Sequence, residues 1–252
     1  MEGEFSLYKL VALDMDGTFL TKEHTISEAN RKWVNKAIDA GVTVMFSTGR
    51  GIQNISPYIE QMDLKSPIVA VNGGEVWGSP GILLKRTLMK NEWISQLAEM
   101  AKEFGVWYWS YAVDGLYNKE NWTGNVEKHE WLKFGFATED LERLKQVRDR
   151  LEDWGIFEIT NSNLTNLELN PKGVSKASGI MEVCNLLGIK MQEVIAMGDS
   201  QNDMTMIKEA GLGIAMGNAQ DAVKLAADTV TDTNEEDGVA KAIQKYIFGG
   251  AE

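Results

Sequence analysis

The chain has 252 residues, and its 44% apolar content, eight Trp and four Pro exclude a disordered protein while allowing one large domain or two smaller ones. A formal charge of −12 and a pI near 4.8 exclude the basic face that nonspecific nucleic-acid binding requires. The single cysteine, Cys184, excludes an internal disulfide and fits a reducing compartment.

The first apolar run, Leu10 to Leu13, predicts a buried strand that stops at two carboxylates, Asp14 and Asp16, with Gly17-Thr18 turning the chain away from the sheet. The turn lets the two acids converge, and neighbouring carboxylates repel unless a proton or cation lies between them. A hard divalent ion, Mg2+, meets that need with oxygen ligands. Asp14 is then placed to act as a nucleophile and Asp16 to carry a proton. Next, Ser27 reads as the N-cap of a helix with Trp33, Val34, Ala37 and Ile38 at helical spacing and Gly41 as its stop. The β-branched run Val42 to Phe46 predicts a second strand, ending at Ser47-Thr48-Gly49-Arg50. There a hydroxyl, backbone N–H groups and a guanidinium emerge together, a set that can hold a phosphate. A third strand, Pro67 to Val71, ends at Asn72-Gly73-Gly74.

A break follows at Gly78-Ser79-Pro80-Gly81, and the texture changes. Asn91 is the expected cap of a helix reaching Phe104. Val106 to Tyr111 and Leu116-Tyr117 read as a hairpin around Asp114-Gly115. A second helix is expected from Thr138, as its cap, to Trp154, then strands at Ile156 to Thr160 and Leu164 to Leu169. Helix–strand–strand thus occurs twice, as in an inserted α+β module. Trp107, Trp109 and Trp122 read as one cluster, either sheet packing or the lining of a pocket. His24 and His129 read as solvated surface residues.

The first texture returns at Pro171. Lys176 opens a helix and could aim its ammonium at the carboxylates above the sheet. Val194 to Met197 predicts a fourth strand, ending at Gly198-Asp199-Ser200-Gln201-Asn202-Asp203; Asp199 is placed as a metal ligand, and Asn202 and Asp203 fall in the first turn of the next helix. A strand at 211–217, a helix from Asn218 to Ala227 and a terminal helix past Gly238 complete the pattern. Strand–helix alternation predicts an α/β fold, a Rossmann-like doubly wound parallel sheet, formed by residues 1–80 and 171–252 around an α+β insertion at 81–170. Ligands in such sheets bind beyond the carboxyl ends of the strands, where the polar residues named above all lie.

Four ordered motifs, Asp14-Met15-Asp16-Gly17-Thr18, Ser47-Thr48-Gly49-Arg50, Lys176 in Gly173-Val174-Ser175-Lys176, and Gly198-Asp199 through Asp203, resemble those of haloacid dehalogenase superfamily phosphatases. The long insertion between the second and third motifs resembles the Cof-type branch with its large α/β cap, class IIB. The resemblance implies a phosphoric monoester hydrolase that forms an aspartyl phosphate on Asp14, with Asp16 as acid and base. It implies Mg2+ held by Asp14, the Asp16 carbonyl oxygen and Asp199, with Asp203 and Asn202 supporting the ion or its waters. Thr48 and Gly49 bind phosphoryl oxygens, Arg50 adds a contact there, and Lys176 bridges Asp14 and the phosphate. The partner implied is a small phosphorylated metabolite, such as a sugar phosphate or phosphoglycolate, acted on by a monomer or homodimer. The competing readings are a phosphomutase on the same fold and a phospho-aspartate signalling protein. No run approaches the roughly 18 apolar residues of a membrane span, and Met1 to Glu4 lacks a basic leader, so no membrane partner and a cytoplasmic location are expected.

Overall fold

The computed structural model describes residues 7–250. In chain order, β1 (Leu10–Leu13), α1 (Glu28–Asp39), β2 (Thr43–Ser47), α2 (Ile52–Met62) and β3 (Ile68–Ala70) alternate, and a hairpin of β4 (Glu75–Ser79) and β5 (Ile82–Arg86) follows. Then come α3 (Asn91–Glu103), β6 (Trp107–Ala112), β7 (Gly115–Asn118), β8 (Trp131–Ala137), α4 (Leu141–Trp154), β9 (Phe157–Thr160) and β10 (Asn166–Pro171). The chain ends with α5 (Lys176–Leu187), β11 (Val194–Gly198), α6 (Met204–Glu209), β12 (Leu212–Ala215), α7 (Asp221–Ala226), β13 (Thr229–Val230) and α8 (Gly238–Ile247).

Two sheets result. The larger has eight strands in the order β13-β12-β11-β1-β2-β3-β4-β5, parallel from β13 to β3 and antiparallel at β4 and β5. β1 lies between β11 and β2, so the chain winds outward in both directions from it, and the crevice at its carboxyl end is a topological switch point. The strand is buried on both faces, and its period of two divides it. Val11 and Leu13 join the apolar cluster of α1, α2 and α8, while Leu10 and Ala12 join that of α5 and α6. The ladder runs one residue past β1, Asp14 N–H donating to the Met197 carbonyl at 3.0 Å. Alternation therefore turns Asp14 toward the α5 side.

The smaller sheet, β7-β6-β8-β10-β9, is antiparallel throughout. Tyr108 and Ala112 of β6, with Phe134 and Phe136 of β8, pack with α3 and α4 in their own core. The opposite parity, Trp109 and Tyr111 paired with Gly135 and Lys133, and Glu168 beside Gly135, faces the larger sheet.

Several sequence expectations shift. The break at residue 80 is the turn of the β4–β5 hairpin, so Ile82–Arg86 complete the larger sheet. The caps of α3 and α4 fall at Lys90 and Asp140 rather than Asn91 and Thr138; the Asp140 carboxylate accepts the Arg143 N–H. Ser27 does cap α1, accepting from Asn30 N–H. The three tryptophans part company: Trp122 stacks on Trp131 in the core of the smaller unit, with ring centroids 5.5 Å apart, while Trp107 and Trp109 lie on the other face. His129 is not solvated. Its side chain is 14% exposed, 2.8 Å from the Asp114 carboxylate, and it packs edge-on against Trp131.

Candidate active site

Four charged side chains meet at the head of β1. Lys176, the first residue of α5 and wholly buried, donates from Nζ to Asp14 Oδ1 and to Asp203 Oδ1, each at 2.6 Å. Asp203 Oδ2 accepts the Asp199 and Ser200 N–H groups, both at 2.9 Å, which fixes the loop after β11. A Cβ on Gly198 would stand 2.3 Å from the Asp203 carboxyl carbon, so only glycine lets that carboxylate fold back beneath the strand end. Asp199 accepts from Ser200 Oγ at 3.0 Å and Thr18 Oγ1 at 3.4 Å. Gly17, at φ +75°, brings the first turn against Asp199; a Cβ there would lie 2.5 Å from Oδ2.

Asp14, Asp199 and Asp203 each offer one oxygen, and these lie within 4.8 Å of one another. Three carboxylates against one ammonium leave two negative charges, which suits a divalent cation with hard oxygen ligands. The electrostatics express the same demand. Burial, and then the Asp203 charge, push the Asp14 carboxyl well above its ordinary range despite Lys176. Burial and Asp203 raise Asp199 from 3.8 to about 7. Burial alone would lower Lys176, but the carboxylates of Asp14 and Asp203 outweigh it and keep the ammonium charged.

Asp16 stands apart from this cluster. Arg50 grips its carboxylate with two hydrogen bonds, Nε to Oδ2 at 2.7 Å and Nη2 to Oδ1 at 2.5 Å, and His24 Nδ1 lies 3.2 Å from Oδ1. Burial works to raise the Asp16 carboxyl, and Arg50 overcomes it, holding the group below the ordinary range. Arg50 is thus engaged with Asp16 as well as lining the cavity. Thr48, buried at the end of β2, accepts the Arg50 N–H on Oγ1 at 3.2 Å, which leaves its hydroxyl proton to donate.

A cavity of about 260 Å3 joins Asp14, Asp16, Thr48, Gly49, Arg50 and Asn202 to residues of the smaller sheet. Lys133 and Glu168, absent from the sequence-derived set, are buried there as an ion pair at 2.9 Å. Lys133 also donates to the Gly49 carbonyl at 2.8 Å, so the smaller sheet holds the loop that follows β2. Glu168 accepts from Asn72 Nδ2 at 2.6 Å and Ser162 Oγ at 2.8 Å. Burial would raise Glu168, yet the Lys133 charge and these donors hold it low. Asn72, in left-handed backbone at φ 55°, accepts from Asn202 Nδ2 at 3.3 Å, while Asn202 Oδ1 is buried with no partner among the described residues. A buried acceptor without a donor fits a hydroxyl, an amine or an ordered water brought by a bound group. The sequence did carry a signal for the missed pair: Lys133 is the one charge within Trp131–Ala137, and Glu168 sits between two leucines.

Comparisons with known proteins give the family. A family model described as haloacid dehalogenase-like hydrolase matches residues 11–134 and 118–243. A 5-amino-6-(5-phospho-D-ribitylamino)uracil phosphatase of Bacillus subtilis, YcsE, is 45% identical over 240 residues, covering 95% of this chain and 96% of its own. Among solved structures, a haloacid dehalogenase-like hydrolase from Bacteroides thetaiotaomicron is 30% identical with a TM-score of 0.79, covering 94% of this chain and 99% of its own. A subclass IIB sugar phosphatase of the superfamily is 25% identical with a TM-score of 0.83, covering 96% and 99%. With Asp14, Lys176, Asp199 and Asp203 gathered at the head of the central strand and a family model spanning nearly the whole chain, this protein belongs to the haloacid dehalogenase-like hydrolases.

Proposed function

We propose that the protein is a Mg2+-dependent phosphatase of a small phosphorylated metabolite, the class to which the substrate named for its Bacillus subtilis relative belongs. The observation that carries this reading is the buried Asp14–Lys176–Asp203 cluster, with Asp199 in reach, opening through Asp14 onto a cavity that Thr48 and Gly49 also line. Asp14, Asp199 and Asp203, with the Asp16 carbonyl oxygen, are the residues assigned to the cation. When bound, the cation supplies charge neutralisation for the phosphoryl oxygens.

The chain's own residues perform the remaining steps. Thr48 Oγ1 and the Gly49 N–H bind phosphoryl oxygens, and Lys176 neutralises charge beside Asp14. A carboxylate oxygen of Asp14 attacks phosphorus, the bond to the alcohol oxygen breaks, and the leaving alkoxide takes a proton from Asp16. Water then attacks the phosphoryl group on Asp14 and passes its proton to Asp16. The Asp14–phosphorus linkage breaks, releasing inorganic phosphate and restoring the carboxylate. Arg50 favours the charged form of Asp16, as the second step requires, and the proton of the first step is held once the carboxyl parts from the guanidinium. Asp203 fixes the loop after β11 through the Asp199 and Ser200 N–H groups, and Asn202 ties that loop to Asn72.

Phosphate release from a panel of phosphorylated metabolites, with Mg2+ and with EDTA, tests the reading. Metal-dependent release that Asp14→Asn abolishes, with the variant's circular dichroism unchanged, is expected. Undiminished release by that variant refutes the mechanism, and label that stays on the chain without phosphate release favours a mutase or signalling role.

A further inference from the structure

Trp109 is one of the residues of the cavity wall that these steps do not employ. It belongs to the face of the smaller sheet turned toward the catalytic crevice, and it lines the cavity that holds Asp14 and Thr48. Its cross-strand partner is Gly135. A Cβ at Gly135 would lie 2.3 to 2.5 Å from Cζ2, Cε2 and Cη2 of the indole, so the ring rests flat over the glycine as no larger residue would permit. The absent side chain leaves a π surface spread across the wall.

The surrounding groups are otherwise committed. Tyr111 packs on Gly51 and accepts from Asn54 Nδ2 at 3.2 Å, tying the smaller sheet to α2. Lys133 and Glu168 satisfy each other. Trp107 donates its indole N–H to Glu120 at 2.9 Å and Trp131 donates its own to the Val126 carbonyl at 3.0 Å. The Trp109 N–H has no acceptor among the described residues, and Asn202 Oδ1 on the same cavity has no donor. A flat aromatic surface in the same cavity as an amide oxygen without a donor matches a planar ring that carries its own polar groups.

We infer that Trp109, laid over Gly135, is a specificity-determining platform on which the leaving alcohol stacks, and that the substrate is a phosphomonoester whose alcohol bears a planar heteroaromatic ring. This rests on the phosphatase reading above. It adds that a bare sugar or polyol phosphate occupies the phosphate end of the cavity and leaves the platform empty.

Two probes isolate the ring: 5-amino-6-(5-phospho-D-ribitylamino)uracil and D-ribitol 5-phosphate share the phosphoryl group and the polyol, and only the first has a ring. The expected kcat/KM ratio in favour of the ring is on the order of ten- to a hundredfold, the range that base–aromatic stacking supports. Trp109→Ala collapses that ratio toward one through a rise in KM for the ring-bearing probe, and Trp109→Phe retains most of it. Gly135→Val, which displaces the indole without removing it, collapses it as well. Equal rates on the two probes in the parent protein, a ratio that survives Trp109→Ala, or turnover of p-nitrophenyl phosphate with neither probe hydrolysed overturns the inference. No release from any ester, p-nitrophenyl phosphate included, overturns the phosphatase reading itself.

Discussion

Replacing Asp199, one of three clustered carboxylates, should make the cation-free protein more stable. Asp199 is raised from 3.8 to about 7 by burial and by Asp203. A folded carboxyl raised above its unfolded value contributes most below the unfolded value, and that contribution is lost as pH rises through the folded one. Between 3.8 and about 7 the charged form of Asp199 thus costs on the order of 4 kcal/mol, at about 1.4 kcal/mol per tenfold change. About 2.5 kcal/mol of this falls between pH 5 and pH 7.5. Asp199→Asn keeps the shape and removes the charge, so in EDTA at pH 7.5 its melting temperature should rise by on the order of 10 °C, at roughly 2–4 °C per kcal/mol for a chain of this size. On the proposed reading, saturating Mg2+ should reverse the order, because the cation would stabilise the parent protein more than the variant. Differential scanning calorimetry at pH 5 and 7.5, with and without Mg2+, measures all four quantities. An Asp199→Asn variant no more stable than its parent in EDTA at pH 7.5 refutes the reasoning.

Gly17→Ala combines a φ of +75° with a Cβ 2.5 Å from Asp199 Oδ2, so beyond a backbone cost of about 1–2 kcal/mol it should displace Asp199; the readout is a diminished Mg2+-induced rise in melting temperature. Lys133→Met leaves Glu168 buried and unpaired, a loss of roughly 3–5 kcal/mol in urea denaturation at pH 7, and Lys133→Met combined with Glu168→Leu should recover much of it. The pH dependence has a definite sign. Glu168 is held below 4.5 in the parent, so its contribution is present above about pH 4.5 and fades as pH falls through the folded value. The Lys133→Met penalty should accordingly shrink in acid, and a penalty equal at pH 7 and pH 4 contradicts the ion-pair account.

What the sequence made legible is what strand ends encode. Asp14, Thr48 and Asp199 each follow a short apolar run, and a parallel sheet delivers all such ends to one edge. Lys176 was legible because a helix begins there, though the ammonium's two partners needed the fold. β8 was not legible: Trp131–Ala137 is buried on both faces, one by its own core and one by the larger sheet, so it lacks the alternation of a half-buried strand. With β8 missed, Lys133 and Glu168 had no reason to be neighbours. The Arg50 grip on Asp16 joins residues 34 positions apart across two turns, a contact no local pattern announces. His129 misled for the opposite reason, since its charged sequence neighbours, Lys128 and Glu130, say nothing of the aromatic side chains it packs against.

The passages into and out of the smaller unit lie side by side. Thr87 N–H, just after β5, donates to the Gly74 carbonyl at 2.8 Å, and the Asn170 amide, at the end of β10, donates to the Val71 carbonyl at 2.9 Å. A loop whose ends already meet can be lengthened, shortened or exchanged at little entropic cost to the sheet that bears it. Evolution can therefore revise residues 87–170 almost as a cassette, and an engineer can graft the corresponding segment of another member here. The condition is that the graft supply a cation for the Gly49 carbonyl, since the recipient's loop after β2 relies on the visiting segment to hold it.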